Sequence, residues 1–179
     1  TLAAVSAPLV EAALGIDANR VNLLQRFAPP SAEAWLGRDE LGRDVFVRLL
    51  YGGQVSLLVG VVVVGVSSAV GMMVGAVSGY YGGRIDQVIG RVMDVLMAFP
   101  GMLLAIALVA VLGPSLTNVV LALAVIGWVG YARLVRGQVL RAREFEYVVA
   151  ARALGAGTLR LLVRHVLPSA LPPVLVQAT

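Results

Sequence analysis

Fourteen of the 179 residues are arginine, ten are acids and one, His165, is a histidine; lysine and cysteine are absent. This inventory narrows the chemistry before any element is placed. Without cysteine there is no disulfide, no thiolate nucleophile and no thiolate metal site. A lone histidine has no second ligand, so His165 reads as a structural residue at an interface and not as a metal site. A phosphate-binding Walker loop needs a lysine after its glycines, so the chain carries no nucleotide site of its own. The repeated "LGRDE" and "LGRDV" over 36–45 set carboxylates beside glycine, but not at the spacing of a calcium loop. They read as a turn leading into a short amphipathic helix over 44–51. What remains is "ARALGAGTLRLLVRHVLP" (151–168), where Arg152, Arg160, Arg164 and His165 gather in apolar surroundings. Such a stretch suits docking and charge, not covalent catalysis.

The elements that must carry it are apolar. The chain is 59% hydrophobic and 13% charged, with mean hydropathy +0.90, where a soluble domain carries about 25% charged residues. The net charge of +4 is spread between apolar runs and is not interleaved with stacking aromatics, which excludes a nucleic-acid partner. The fold class is all-α, a polytopic transmembrane helix bundle. A span needs roughly 20 apolar residues. No charge occurs from Leu49 to Gly83, or from Val95 to Ala132, where the turn chemistry of "GPSLTN" (113–118) divides the run. Spans are therefore expected over about 55–80, 94–112 and 117–135, with a further one beginning near 166 and cut off at 179. Residues 1–16 read as the tail of a preceding span, 17–51 as an extracytoplasmic segment and 52–179 as the membrane domain.

Gly71, Gly75 and Gly79, each four apart, form a small-residue stripe for helix packing, with Ser67 and Ser78 available for interhelical hydrogen bonds. Pro100 begins or kinks the second span, and Trp128 and Tyr131 read as interfacial anchors. No ionisable group lies mid-span, which argues against a carrier driven by an ion gradient. Nine arginines (Arg84, Arg91 and the seven from Arg133 to Arg164) lie on one side, against five balanced by acids on the other. The positive-inside rule places the nine in the cytoplasm, beside membrane lipid.

Within that basic stretch, "EYVVAARALG" (146–155) has helical spacing through Val148, Ala151 and Leu154, and Gly155 and Gly157 permit a sharp turn. A second helix, "TLRLLVRHVL", sets Leu159, Leu162, Val163 and Val166 on one face, and Pro168 marks where it must bend or pass into the next span. Small residues ahead of a glycine turn let a partner surface approach closely.

Ala150-Ala151, three residues, Gly155, nine residues and then "HVLP" resemble the EAA loop of membrane subunits of bacterial ABC importers. "PPSAEAWLGRDELGRDVFVRLLYGG", "GYYGGRIDQVIGRVMDVLMAFP", "LGPSLTN" and "GYARLVRGQVLRAREFEYV" are similar to the second (C-type) permease subunit of dipeptide, oligopeptide and nickel importers. The resemblance covers nearly the whole chain. It implies a six-span type I permease, with parts of the first and fifth spans and all of the sixth outside this sequence. It further implies a bacterial cytoplasmic (inner) membrane location and a heterodimer with a second permease subunit. Two ATP-binding-cassette ATPases would dock inside and a solute-binding protein outside. ATP and magnesium would sit on the ATPases, with no cofactor and no enzymatic activity in this chain. The coupling loop would span 140–168, with Ala150, Ala151, Gly155 and Ala156 meeting the ATPase and Leu167-Pro168 as the joint back to the membrane. Three positions depart from the pattern: Val149 stands at the motif glutamate, with Glu146 one turn earlier, and Ala34 and Arg38 replace the His and Thr common in relatives. A scaffold protein with a lipid-facing basic loop is the alternative from another class.

Overall fold

The computed structural model describes residues 20–179, so the expected tail of a first span over 1–16 lies outside the described residues. The chain divides into two compact units at Val61/Val62.

In the first unit the duplicated pentapeptide forms two successive turns. Gly37 and Gly42 occupy equivalent places in the repeat and share a left-handed backbone, with φ of 74° and 71°. A Cβ on Gly42 would lie 1.8 Å from the carbonyl oxygen of Asn22, so only glycine fits. The aspartates of the two repeats diverge in task. Asp39 accepts from the backbone N–H groups of Leu41 and Arg43, and from the guanidinium groups of Arg43 and Arg48. Asp44, buried, accepts from the Val47 N–H at 3.0 Å and so caps the helix that follows. Ala34, Val47 and Leu50 form the buried core here, and Trp35 packs on Phe46 with ring centroids 5.1 Å apart.

Desolvation pushes the Asp39 carboxyl up, but its four donors together outweigh that and hold it well below the usual carboxylate range. A depressed carboxylate stabilises the fold fully above its unfolded pKa of about 3.9 and loses that contribution as pH falls through the lower folded value. The turn is therefore expected to hold from neutrality down to about pH 4 and to loosen only below it. Fluorescence of Trp35, followed against pH in a Trp128→Phe background, checks this; a transition near pH 6 would contradict it.

The capped helix α1 runs Val45–Tyr81. The expected amphipathic helix over 44–51 is thus its opening turns, because the Asp44 cap launches one uninterrupted apolar run. After it come α2 (Gly83–Met97), α3 (Gly101–Leu112), α4 (Leu116–Ala142), α5 (Glu146–Ala153) and α6, which runs Thr158–Ala178. Three of these, α1, α4 and α6, are long and apolar enough to cross a membrane, or four spans result if the bent pair α2–α3 counts as one.

Two expectations change here. The span expected over 94–112 is not one straight helix. α2 and α3 meet at 84°, with Pro100 serving as the N-cap of α3 since its ring cannot continue α2. At 1.5 Å per residue the twelve residues of α3 reach only about 18 Å, against roughly 30 Å of hydrocarbon. α2 carries Arg84, Asp86, Arg91 and Asp94, with an exposed apolar stripe of Ile85, Val88, Val92 and Val95, which suits a helix lying at the membrane surface. We read α2 as outside the spanning segments; because α1 and α4 run parallel, α3 with the non-helical residues flanking it returns the chain across the bilayer.

At Pro168, where a bend or a hand-over to the next span is expected, the chain stays helical and resumes α geometry from Leu167. α6 passes through it by widening into a π turn over Leu162–Val166, where the Leu167 N–H donates to the Leu162 carbonyl. The wider turn makes room for a ring that would otherwise meet the carbonyl one turn back. It also shifts the helical phase, so Leu161, Leu162, Val166, Ala170 and Val174 are buried while Leu159 and Val163 are exposed.

The turn between α3 and α4 is built as its composition suggests. Ser115 accepts from the Asn118 N–H, and the Asn118 amide donates to the carbonyls of Leu112 and Gly113 at 2.8 and 2.9 Å.

The core of the second unit lies along α4. Gly71, Gly75 and Gly79 of α1 meet Tyr131, Ala132 and Arg136 in rising order, so α1 and α4 run parallel in close contact. Val135, Val139 and Ala142 of α4 then pack with Val148 of α5 and with Leu161, Leu162 and Val166 of α6. Tyr131 belongs to this core and is buried, not an interfacial anchor; the missing side chain of Gly71 is what makes room for it. Of the two serines, Ser78 donates to Asp86, whereas Ser67 Oγ is buried against Gly127 without a partner.

Candidate functional site

The ends of α1 and α4, the start of α2 and all of α5 converge on the arginine-rich end of this unit. Val148 is fully buried and inserts α5 into the core. Arg152 lies over the Tyr80 ring at 5.8 Å, a cation–π contact, and Arg143 donates to the Gly79 carbonyl. On the other flank, the Tyr147 hydroxyl donates to the His165 carbonyl and the two rings stack at 6.4 Å. His165 thus serves as packing between α5 and α6. Among the described residues no cluster of His, Cys, Asp or Glu could hold a metal.

The end of α5 is set by Gly155. Its N–H donates to the Arg152 carbonyl, and the Ala156 N–H donates to the Ala151 carbonyl. This is the Schellman pattern, which requires a left-handed residue at the position after the cap; Gly155 has φ of 82°. Ala151 and Ala156, which the pattern brings together, both pack against the core.

The six loop positions singled out from sequence therefore separate. Ala150 and Gly155 are exposed, whereas Ala151 and Ala156 are half-buried and face inward. Leu167 packs on the core and Pro168 is exposed inside α6, so neither belongs to the α5 surface. Leu154, placed by spacing on one face with Val148, is 89% exposed, because α5 has ended at Ala153. Leu159 is 75% exposed and Val149 48%. Exposed apolar side chains, Val149 on α5, Leu154 in the turn after it and Leu159 at the start of α6, thus lie interspersed in sequence with Arg152, Arg160 and Arg164. A surface of this kind suits a partner protein.

Sequence reasoning passed over a polar network that joins α2 to α1 and α4. Arg136 donates to both oxygens of Asp86 at 2.5 and 2.6 Å, and Ser78 donates to the same carboxylate at 2.5 Å. The Arg136 hydrogen bonds are the main reason the Asp86 carboxyl sits below its ordinary range; desolvation opposes them, and Ser78 and the charge of Arg143 add to them. A second pair, Arg133 with Asp94 at 2.5 Å, also joins α4 to α2. The partners lie 50 and 39 residues apart. The signal available in sequence was only that two carboxylates on an amphipathic stretch match two arginines at the end of a span.

Residues 71–179 match the family described as "Binding-protein-dependent transport system inner membrane component". The chain is 46% identical over 163 residues to the "Probable D,D-dipeptide transport system permease protein DdpC" of Escherichia coli, covering 91% of this chain and 55% of that protein. It is 45% identical over 160 residues to the "Dipeptide transport system permease protein DppC" of Bacillus subtilis, covering 89% and 50% respectively. For the "Oligopeptide transport system permease protein OppC" of Bacillus subtilis the identity is 42% over 163 residues, with 91% and 53% covered. The chain spans about half the length of the curated relatives it matches.

Proposed function

This chain belongs to the family of binding-protein-dependent transport system inner membrane components, and on that premise we propose that it forms part of the membrane pathway of an ATP-driven importer for short peptides. The family is one of transport components, not of enzymes. In this reading a second, similar permease subunit completes the pathway in the bacterial cytoplasmic membrane. Two ATPase subunits bind the arginine-rich side, where they hold the ATP and magnesium, and a solute-binding protein delivers cargo from outside. The cargo follows the relatives, whose names specify dipeptides and oligopeptides.

The observation that carries this reading is α5. It is short, capped by Gly155 and exposed at Ala150, and it is pinned to the ends of α1, α4 and α6. A surface seated on α5 would move those three helices together, because a packed core transmits displacement without absorbing it. Val149 at the motif glutamate position puts an exposed apolar side chain on α5.

Two measurements test the proposal. Gentle purification of the full-length protein is expected to recover two ATPases and a second permease; a homogeneous oligomer of this protein alone, even with nucleotide trapped, would overturn it. Substitution at Gly155 then tests the lever. A Cβ there would meet nothing within 4 Å, so any effect comes from the turn and the partner, not from a clash within the chain. Gly155→Val should lower coupled transport by about tenfold with the companions still bound, whereas Gly155→Asn, tolerated in the left-handed region, should retain most of it. Equal transport by the valine variant would remove the docking role of this loop.

A further inference from the structure

Between α2 and α4 lies a cavity of about 400 Å³ lined by Gly90, Met93, Asp94, Arg133 and Arg136, within the size range of small-molecule sites. Its charges are not equivalent. Arg136 is committed to Asp86, which Ser78 also holds. Arg133 and Asp94 bind only each other, and their side chains are 46% and 66% exposed. An exposed pair of this kind contributes little to stability, so it opens at small cost. The cavity therefore presents one cation and one anion paired with each other at 2.5 Å, which a ligand must separate. Gly90 leaves its wall open, since a Cβ there would meet no atom within 4 Å, and Met93, buried with Val129 and Ala132, backs it.

We propose that the cleft between α2 and α4 binds a zwitterion, the free ammonium of a short peptide on Asp94 and its carboxylate on Arg133. The ligand replaces one exposed ion pair by two charge-assisted hydrogen bonds, the carboxylate lying bidentate on the guanidinium. The cleft selects for free termini, and its small volume favours short peptides. The assignment rests on the peptide-importer reading and adds to it a place on this chain where cargo pauses. A zwitterionic lipid headgroup with a primary ammonium shares the chemistry, and the test separates the two.

The chain has no cysteine, and Gly90 tolerates a side chain, so Gly90→Cys supplies a reporter in the cleft. The full-length protein, with any cysteine elsewhere in it and in its companions replaced by serine, is assembled with those companions and reconstituted in phosphatidylcholine vesicles, and labelling by a water-soluble thiol reagent is timed. Millimolar alanylalanine is expected to slow labelling several-fold, N-acetyl-alanylalanine amide is not, and Arg133→Gln should abolish the protection while the companions remain bound. Labelling indifferent to alanylalanine in an intact assembly overturns the site and leaves the importer standing; failure to recover any companion counts against the importer itself. Slowing by phosphatidylethanolamine alone, equal to that by the dipeptide, overturns the peptide assignment in favour of a headgroup.

Discussion

Replacing Gly75 with valine is expected to prevent α1 from seating on α4. A Cβ on Gly75 would stand 2.4 Å from the Ala132 carbonyl oxygen and 2.9 Å from the Val135 Cβ. Both neighbours lie on the core face of α4, and the carbonyl is backbone, so no rotamer change relieves the clash. Gly71 and Gly79 share the constraint, at 2.4 Å from the Tyr131 Cβ and 2.8 Å from the Arg136 carbonyl oxygen, so the helices cannot separate at one point without losing the whole seam. In a bilayer little hydrophobic force drives helices together; close van der Waals contact is what joins them. Overpacking costs typically 1–3 kcal/mol, and about 3 kcal/mol or more is expected here because three contacts fail together. Thermal unfolding of the purified full-length protein checks this, with Gly60→Val as the control. Gly60 has no atom within 4 Å of its added Cβ, and its variant should behave as wild type. Equal stability of the two variants would show that the stripe does not pack as described.

Arg136→Gln is expected to free the start of α2. The substitution removes two charge-assisted hydrogen bonds from Asp86 and leaves a carboxylate, only 17% exposed, with Ser78 as its remaining donor. Hydrogen bonds to charged groups contribute about 1.5–3 kcal/mol each where solvent is excluded. Arg136 is itself 37% exposed, so screening reduces the total, and about 2 kcal/mol is expected. Arg133→Gln breaks the exposed pair and should cost at most about 1 kcal/mol. The difference between the two variants is the informative quantity, measured as thermal stability or as proteolysis at Arg84 and Arg91. The pH dependence has a definite sign. The Asp86 carboxyl is depressed, so the pair stabilises fully above about pH 4 and weakens only as pH falls further. A loss of the difference between pH 8 and pH 6 would point to a group other than Asp86.

Comparison of residues with their places in the bundle shows which properties were local. Apolar run length and the absence of charge from Leu49 to Gly83 establish α1 as a spanning helix, since a bilayer admits only a backbone that satisfies its own hydrogen bonds. The turn at 113–118 and the Gly155 break were legible for the same reason: turn geometry depends on a few adjacent residues. The four-residue spacing of Gly71, Gly75 and Gly79 announced a close contact, though not which helix would make it.

What sequence alone could not decide is non-local. Whether Pro100 kinks one span or divides two helices depends on where α2 finds its partner, and that is settled by Asp86 and Asp94 meeting arginines of α4. Whether Pro168 ends a helix depends on a π turn whose buried residues pack on α4 and α5. Tyr131 reads as an interfacial residue until Gly71 leaves room for it. Composition and spacing thus determined that this chain is a bundle of membrane-crossing helices with a basic, glycine-broken loop, because burial and turn chemistry act over a few residues. Which faces meet, and which charges pair between α2 and α4, only the tertiary structure decided, because those contacts join residues dozens of positions apart.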